Sequence, residues 1–210
     1  MTSSILTRTM LPELLTELLR IDGIKWIRVM YMHPDHFETD WLKLWQDNPK
    51  LLPYFEIPVQ HCEDRILKAM NRKNGNESLR CLFDDIRQAL PEAALRSTLI
   101  SGFPGESRSE ALALHKFVRE IGFHHLGAFC YSPEPGTAAF ELPDQIPFTT
   151  AERRRIRLLS MHRELSQKIL ESYIGRTLEV LIEDTDPDDE EQYAGRAWFQ
   201  APDIDGRTFV

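Results

Sequence analysis

The stretch LRSTLISGFPGE, residues 95–106, decides the fold class of this chain. Its first seven residues are mostly apolar and β-branched, which is typical of a buried strand. The glycines and proline of residues 102–106 then indicate a turn. Ser107 and Glu110 have the spacing of a capping box, which predicts that a helix starts there. A buried strand leading through a glycine turn into a helix is the repeating unit of parallel α/β folds.

Helix and strand patterns alternate on both sides of this unit. Further strands are predicted at residues 26–31, 54–59 and 125–131, and helices at 11–19, 39–46, 63–70 and 76–90. Four short strands separated by helices imply parallel pairing with right-handed crossovers, either in an open sheet or in part of a barrel. Functional residues are therefore expected on the loops at the carboxyl ends of the strands.

The last third of the chain has a different pattern. A linker at residues 143–147 precedes a long amphipathic helix at 152–173. From Arg176 the apolar period becomes two, and a polar turn at residues 184–192 leads to a second strand at 193–199, which predicts a small antiparallel β module. The predicted organisation is thus an α/β core at 1–150, a connecting helix at 151–173 and a β module at 174–210.

Charge is concentrated in that module. The chain has a net charge of −8, of which residues 174–210 carry −7, from ten acidic side chains against three arginines. Because nucleic-acid affinity depends largely on Lys and Arg, this argues against nucleic-acid binding by the module and favours a basic partner or none. No stretch approaches the apolar length of a membrane helix, and residues 1–8 have no signal-peptide core. A cytoplasmic protein without membrane contact is expected.

Several clusters could suggest other chemistry. His33 with His36, and the pair His124-His125, lack a third metal-ligand spacing and are interpreted as loop or core histidines, so no metal site is predicted. The arginines within 153–157 are interpreted as a solvated helix face, and not as an RNA site, because their charge is balanced nearby, so no nucleic-acid partner is expected. The cysteines, at positions 62, 81 and 130, form no CxxC pair and are interpreted as isolated thiols.

Five stretches, taken in order, carry a resemblance: residues 26–34, 49–61, 64–72, 95–106 and 131–137. Together they resemble the methylthiotransferase branch of the radical S-adenosylmethionine (SAM) enzymes, over nearly the whole chain. Gln60-His61-Cys62 stands where the tRNA-modifying MiaB type usually has Gln-Ser-Gly. Residues 201–206, APDIDG, resemble the start of the TRAM module of the RimO type, a small OB-type β module.

The resemblance implies a six-unit (β/α) radical SAM barrel between an N-terminal cluster-binding domain and the TRAM module. This chain would hold the last four units. It also implies methylthiolation of an aspartate in the twelfth small-subunit ribosomal protein, a basic protein that suits an acidic module. The implied cofactors are SAM and two four-iron four-sulfur clusters. By the same resemblance, the space for SAM or substrate lies beside Gln60, His61, Arg96, Gly102, Glu106, Tyr131 and Ser132.

The chain departs from the family at the cluster ligands. The CxxxCxxC loop and the second cysteine triad are absent, and none of the three cysteines occupies a cluster motif. A truncated or mis-started polypeptide that does not catalyse radical chemistry alone is therefore expected. Two alternatives stay open: the tRNA methylthiotransferase activity of the MiaB type, and a non-catalytic fragment that binds a basic ribosomal protein. An exposed edge at residues 26–31 also predicts self-association.

Overall fold

The computed structural model describes residues 9–186 and 189–210, and within these it has two three-stranded sheets. The first sheet is parallel, in the order β1 (Tyr54–Glu56), β2 (Ala94–Ser101) and β3 (His125–Cys130). The expected parallel α/β architecture is therefore present in the core. That these units are part of a radical SAM barrel stays a prediction.

Helices connect these strands close to the predicted positions. The first helices are α1 (Leu11–Leu19), α2 (Leu42–Asp47), α3 (Asp64–Ala69) and α4 (Asn76–Ala89). The crossover from β2 to β3 is α5 (Arg108–Ile121), which begins at the predicted capping box of Ser107 and Glu110. The long helix α6 (Phe148–Glu171) begins four residues before the predicted position. No helix in the described part of the chain is long and apolar enough to cross a membrane.

The predicted strand at residues 26–31 is wrong. This segment makes one isolated bridge, Ile27 with Leu51, and just after it the N–H of Met32 donates to the carbonyl of Glu56. The facing segment contains Pro53, which has no N–H to donate, and Tyr31 is in the left-handed region at φ 57°. A continuous ladder cannot form across these two positions, so the parallel sheet has three strands instead of four.

The main core lies between the sheet and its helices. Phe55 of β1, Leu95 and Leu99 of β2, and Phe117 of α5 are almost fully buried there, together with Leu158 of α6. These positions are those at which the sequence pattern predicted apolar faces. The burial of this one face of the sheet stabilises the crossovers and leaves the opposite face for other contacts.

The second sheet belongs to the C-terminal module. It is antiparallel, in the order β4 (Val180–Asp186), β5 (Asp189–Ala197) and β6 (Thr208–Phe209), so the predicted β module is confirmed. The predicted polar turn at residues 184–192 is too long, because β4 and β5 both extend into it. Pro187 and Asp188 of that turn, like residues 1–8, lie outside the described residues.

The module packs against the open face of the parallel sheet. Tyr54 and Ala94, at the amino-terminal ends of β1 and β2, form a second buried cluster with Ala197, Phe199 and Ala201 of the module. The aromatic ring of Phe199 also stacks on Tyr173, just after α6, at 4.4 Å between centroids. The module therefore covers the amino-terminal half of this sheet face and leaves the carboxyl-terminal half open.

Candidate functional site

The carboxyl ends of the three parallel strands meet at one edge, where Gln60 joins the loop after β1 to β2. The backbone N–H of Gln60 donates to the carbonyl of Thr98 at 2.9 Å, and its carbonyl accepts from Ile100 at 2.8 Å. The backbone φ angle of Gln60 is 67°, which is uncommon for a residue other than glycine. The two bonds to β2 hold this conformation in place and turn the chain into the loop that carries His61.

His61 and Glu106 lie side by side in the interior directly below this edge, and both side chains are fully buried. His61 Nδ1 accepts from the N–H of Glu63, so the ring proton is on Nε2, which lies 3.6 Å from Glu106 Oε1. The other carboxylate oxygen, Oε2, accepts from Arg154 of α6 at 2.8 Å and from the N–H of Gly102. The cluster links the loops after β1 and β2 to the start of α6.

Gly102 allows the turn after β2 to pack directly on α6. Its φ is +78°, and a Cβ atom at this position would lie 2.3 Å from Cβ of Ala151. Ser101 strengthens the same junction because its hydroxyl donates to the carbonyl of Ala151 at 2.9 Å. The turn is the one that the sequence predicts from two glycines and a proline. Position 102 of this turn requires glycine, both because α6 approaches closely and because φ is positive.

Tyr131 and Ser132 complete the edge after β3. The Tyr131 ring packs against Phe103 of the neighbouring turn, with centroids 5.3 Å apart, and its buried hydroxyl has no hydrogen-bond partner among the described residues. Ser132 donates to Glu134 within its own loop. The edge thus brings the loops of Gln60, His61, Gly102, Glu106, Tyr131 and Ser132 to one end of the sheet.

Arg96, the remaining residue of the expected site, lies far from this edge. It is six residues before Gly102 on β2, about 20 Å away along an extended strand. Its guanidinium pairs with Glu56 of β1 at 3.2 Å and with Asp205 of the module. The structure therefore places Arg96 against the module, where a second cluster of polar side chains is buried.

Asp205 is the centre of that second cluster and its side chain is fully buried. Besides Arg96, its carboxylate accepts from the hydroxyl of Tyr54 at 2.6 Å and from the N–H of Ala201 at 2.9 Å. His125 of β3 lies 3.5 Å away and bonds through Nε2 to the carbonyl of Phe199. These contacts fix the loop after β5 to all three strands of the parallel sheet.

The electrostatics of this cluster suit anchoring. Burial and the adjacent Asp205 carboxylate raise the pKa of Tyr54 far above its usual range, so its hydroxyl stays protonated and donates. Burial lowers the pKa of His125, although Asp205 opposes the shift. The pKa of Arg96 is raised by Asp205 against the effect of burial. A neutral tyrosine and a permanent cation around one carboxylate form a stable junction between the two sheets.

Sequence reasoning missed this junction. The sequence assigns Tyr54 to a strand, His125 to a strand and to a pair of loop or core histidines, and Asp205 to the 201–206 stretch and the acidic charge of the module. Strand periodicity could not reveal the junction, because the partners are separated by up to 151 positions along the chain. The one available signal was a carboxylate in a short stretch that also contains a proline and a glycine, which indicates a shaped loop.

The cysteines do not fit an iron–sulfur cluster. Cys62 is buried in the loop after β1, Cys81 is exposed on α4, and Cys130 is the last residue of β3. Burial raises the pKa of the Cys62 thiol to about 12, whereas a metal ligand must be a thiolate. In residues 9–186 and 189–210, no group of three His, Cys, Asp or Glu side chains could hold a metal ion. His33 instead contacts Arg72 at 2.6 Å.

Comparison with known proteins connects these features to one family. The family model "TRAM domain" matches residues 174–210. Over 200 residues, 95% of the chain, the sequence is 42% identical to the ribosomal protein uS12 methylthiotransferase RimO of Aquifex aeolicus. It is 41% identical to the protein of that name from Thermotoga maritima and 38% to that from Desulfitobacterium hafniense, both also over 95% of the chain.

The chain spans about half the length of these curated relatives: 46% of the Aquifex and Thermotoga maritima proteins and 44% of the Desulfitobacterium protein. A match over 95% of the chain contains the parallel sheet and its carboxyl-end loops. The recognition made from the loop motifs is therefore confirmed by similarity along almost the whole chain.

Proposed function

We propose that this chain, which belongs to the RimO-type methylthiotransferase family, provides part of an enzyme that methylthiolates the ribosomal protein uS12. The observation that carries the proposal is 42% identity over 95% of the chain to proteins named for that activity. As the resemblance implies, the acceptor is an aspartate of uS12. The proposed organisation keeps a core at 1–150, a connecting helix at 151–173 and a TRAM module at 174–210.

The proposed role of the parallel sheet is to form one wall of the space for SAM and substrate. Gln60 and Tyr131 lie at the edge where parallel α/β folds place their ligands, and the His61–Glu106 pair supports that edge from below. Arg96 has a different proposed role. Its pairing with Asp205 makes it a positioning residue for the module, so we assign it no contact with SAM.

This chain does not have the cysteines that an iron–sulfur cluster needs. The family uses SAM and four-iron four-sulfur clusters, and such clusters need several cysteine thiolates close together. The chain has three cysteines in total, on three separate elements. We therefore propose that the chain binds no complete cluster and does not generate a radical by itself.

A chimera tests the proposed function directly. The matched region of the Thermotoga maritima relative, whose sequence is 41% identical, would be replaced by this chain and the hybrid reconstituted anaerobically. We expect methylthiolated uS12 by mass spectrometry from the hybrid, and no stoichiometric iron on the isolated chain. A hybrid that holds its clusters and cleaves SAM but leaves uS12 unmodified would contradict the proposal.

The same hybrid distinguishes modification of uS12 from the alternative activity, modification of tRNA. Offered uS12 and tRNA together, a hybrid of the proposed type modifies the protein. Methylthiolation of tRNA with uS12 untouched would instead support the MiaB type of activity.

A second proposal concerns the acidic module as a binding surface for a basic ribosomal protein. Residues 174–210 carry −7 of the net charge, and the side chains of Glu179, Asp184 and Asp203 are exposed. We expect the isolated chain to bind uS12 at low salt and to lose affinity as salt screens the charges. The triple variant Glu179→Gln, Asp184→Asn, Asp203→Asn should bind more weakly. Absence of binding at low salt would exclude this role.

A further inference from the structure

A cationic groove lies between α5 and α6 on the outer surface of the core. Its volume is about 400 Å³. The polar side chains that line it are Arg108 and His115 from α5 and Thr150, Arg153, Arg154 and Arg157 from α6. Four guanidinium groups therefore converge on one groove of a chain whose net charge is −8.

Arg154 is paired with Glu106, but neighbouring carboxylates do not neutralise the other three guanidinium groups of the groove. Among the described residues, no ion pair within 4.0 Å involves Arg108, Arg153 or Arg157, and all three side chains are exposed. The acids beside them on the helices are used elsewhere: Glu110 pairs with Arg65 and Glu152 pairs with Arg155. An arginine cluster without counter-charges is a surface for an anion that comes from outside the chain.

The two helices add their own field to the groove. Both run back from the carboxyl end of the sheet, α5 from Arg108 to Ile121 and α6 from Phe148, so their amino-terminal ends lie at the same end of the groove. The positive ends of the two helix dipoles there attract negative charge. Burial and the positive charges of Arg119 and Arg157 lower the pKa of His115, which is consistent with a positive potential inside the groove.

The spacing of the arginines suits a chain of phosphates. Arg153 and Arg157 are one turn apart on α6, about 6 Å along the helix axis, so their forked groups can hold successive phosphates of an extended strand. Arg108 faces them from the opposite wall. The wall residue Leu112 is an exposed apolar side chain, 57% accessible, and the groove is concave. Such a shape fits a strand better than the flat surface of a membrane.

We propose that this groove binds the phosphodiester backbone of a single-stranded nucleic acid. The groove goes beyond the proposed methylthiotransfer and does not depend on it, because no strand-end residue lines the groove. Arg154, which lines the groove, is the one link between the two, since it also donates to Glu106. Backbone contacts of this kind are independent of base sequence and weaken strongly with salt. The groove is on the near-neutral core, so the acidity of the module does not oppose it.

The test measures binding of a short fluorescein-labelled oligouridylate by anisotropy at several salt concentrations. The test variant is the triple substitution Arg108→Ala, Arg153→Ala, Arg157→Ala. Its matched control, Lys43→Ala, Lys68→Ala, Arg163→Ala, removes three exposed charges that do not line the groove. We expect the test variant to lose affinity at least about tenfold at low salt and its salt slope to fall by about 2, while the control changes little.

Three outcomes would overturn the proposal. These are absence of oligouridylate binding by the unmodified chain at low salt, equal losses in the test and control variants, and a test variant that loses binding only to anionic phosphatidylserine vesicles. The arginines replaced are exposed and form no ion pair with the described residues, so the variant should keep the unfolding midpoint of the unmodified chain, which circular dichroism checks.

Discussion

At the scale of single residues, Asp205 decides how the two sheets are joined. A buried carboxylate that accepts from Arg96, Tyr54 and a backbone N–H has its charge and its lone pairs satisfied only in this arrangement. Removing one partner would leave the remaining buried groups without a hydrogen bond or an opposite charge, and an unpaired buried charge lowers the free energy of unfolding strongly. The arrangement therefore contributes to specificity of docking as well as to stability.

Asp205→Asn tests this junction. The change keeps the size of the side chain and removes its charge, so Arg96 keeps only Glu56 as a carboxylate partner. We expect the free energy of unfolding in urea to fall by about 3 kcal/mol. Asp203→Asn, the same change at an exposed position of the same loop, should stay within about 0.5 kcal/mol of the unmodified chain. Equal effects of the two changes would contradict the anchoring role.

Gly102→Ala tests the junction at the other end of β2. The new Cβ meets Ala151 at 2.3 Å in addition to the strain of a positive φ. Gly23→Ala is the matched control, because Gly23 has a φ of +85° with no atom within 4 Å of the added Cβ. We expect the Gly23 change to cost about 1 kcal/mol and the Gly102 change roughly 1–3 kcal/mol more in urea unfolding. Equal losses of unfolding free energy in the two variants would mean that α6 shifts to accommodate the added methyl group, which would contradict the expected clash.

At the scale of elements, α5 begins with two reinforcing contacts on Glu110. Its carboxylate closes the capping box with Ser107 and pairs with Arg65 of α3 through two bonds of 2.7 and 2.9 Å. Although burial raises the pKa of Glu110, the bonds from Arg65 and Ser107 lower it to about 2. A carboxyl with a depressed pKa in the folded state contributes stability above its unfolded pKa, and that contribution is lost as the pH falls towards 2.

Glu110→Gln is expected to remove this pH dependence. At neutral pH the variant should be less stable than the unmodified chain by about 1 kcal/mol, because Gln keeps the capping box but loses the charged pairing with Arg65. The difference in urea unfolding free energy should shrink between pH 4.5 and pH 2, where Glu110 becomes protonated. Glu77→Gln in the first turn of α4 is the control for a general helix-end effect. A difference that does not change with pH would be inconsistent with the pairing.

The environment of the α6 arginines depends on the neighbouring helix α5. In the sequence, the cluster at residues 153–157 was interpreted as a balanced, solvated helix face. In the structure, Arg155 is paired with Glu152, but Arg153 and Arg157 face Arg108 across the groove. The crossover topology brings the two helices together, and the sequence pattern of either helix alone does not show it. The charge argument against nucleic acid concerns the acidic module, whereas the interpretation of residues 153–157 as a balanced face, and not an RNA site, did not foresee that Arg108 of α5 would join them.

At the scale of the whole molecule, the uncovered half of the sheet face exposes apolar side chains. Phe129 of β3 is 62% accessible and Tyr31 is 74% accessible on the segment beside β1. Exposed aromatic side chains beside a sheet edge are typical of surfaces that pair with another chain. The sequence prediction of self-association, made from an edge at residues 26–31, stays a prediction with this face as its proposed contact.

Phe129→Lys tests self-association. We expect the unmodified chain to show an average mass in light scattering that rises with concentration, and the variant to shift towards the monomer because a charge is added at the contact. Phe148→Lys is the matched control, since Phe148 is equally exposed, at 63%, at the start of α6. A monodisperse monomer for the unmodified chain would show that the open face does not pair.

The sequence alone determined the parallel α/β core, the capping box of α5, the long helix, the change to a β module and the family. These features depend on local periodicity and on short motifs, which are written in neighbouring residues. Only the tertiary structure decided that residues 26–31 are no strand, that Arg96 holds Asp205 and not the strand-end edge, and that arginines of two helices share one groove. The physical reason is that these outcomes depend on which distant groups meet when the core is buried, and on the positive φ and the proline that interrupt a ladder.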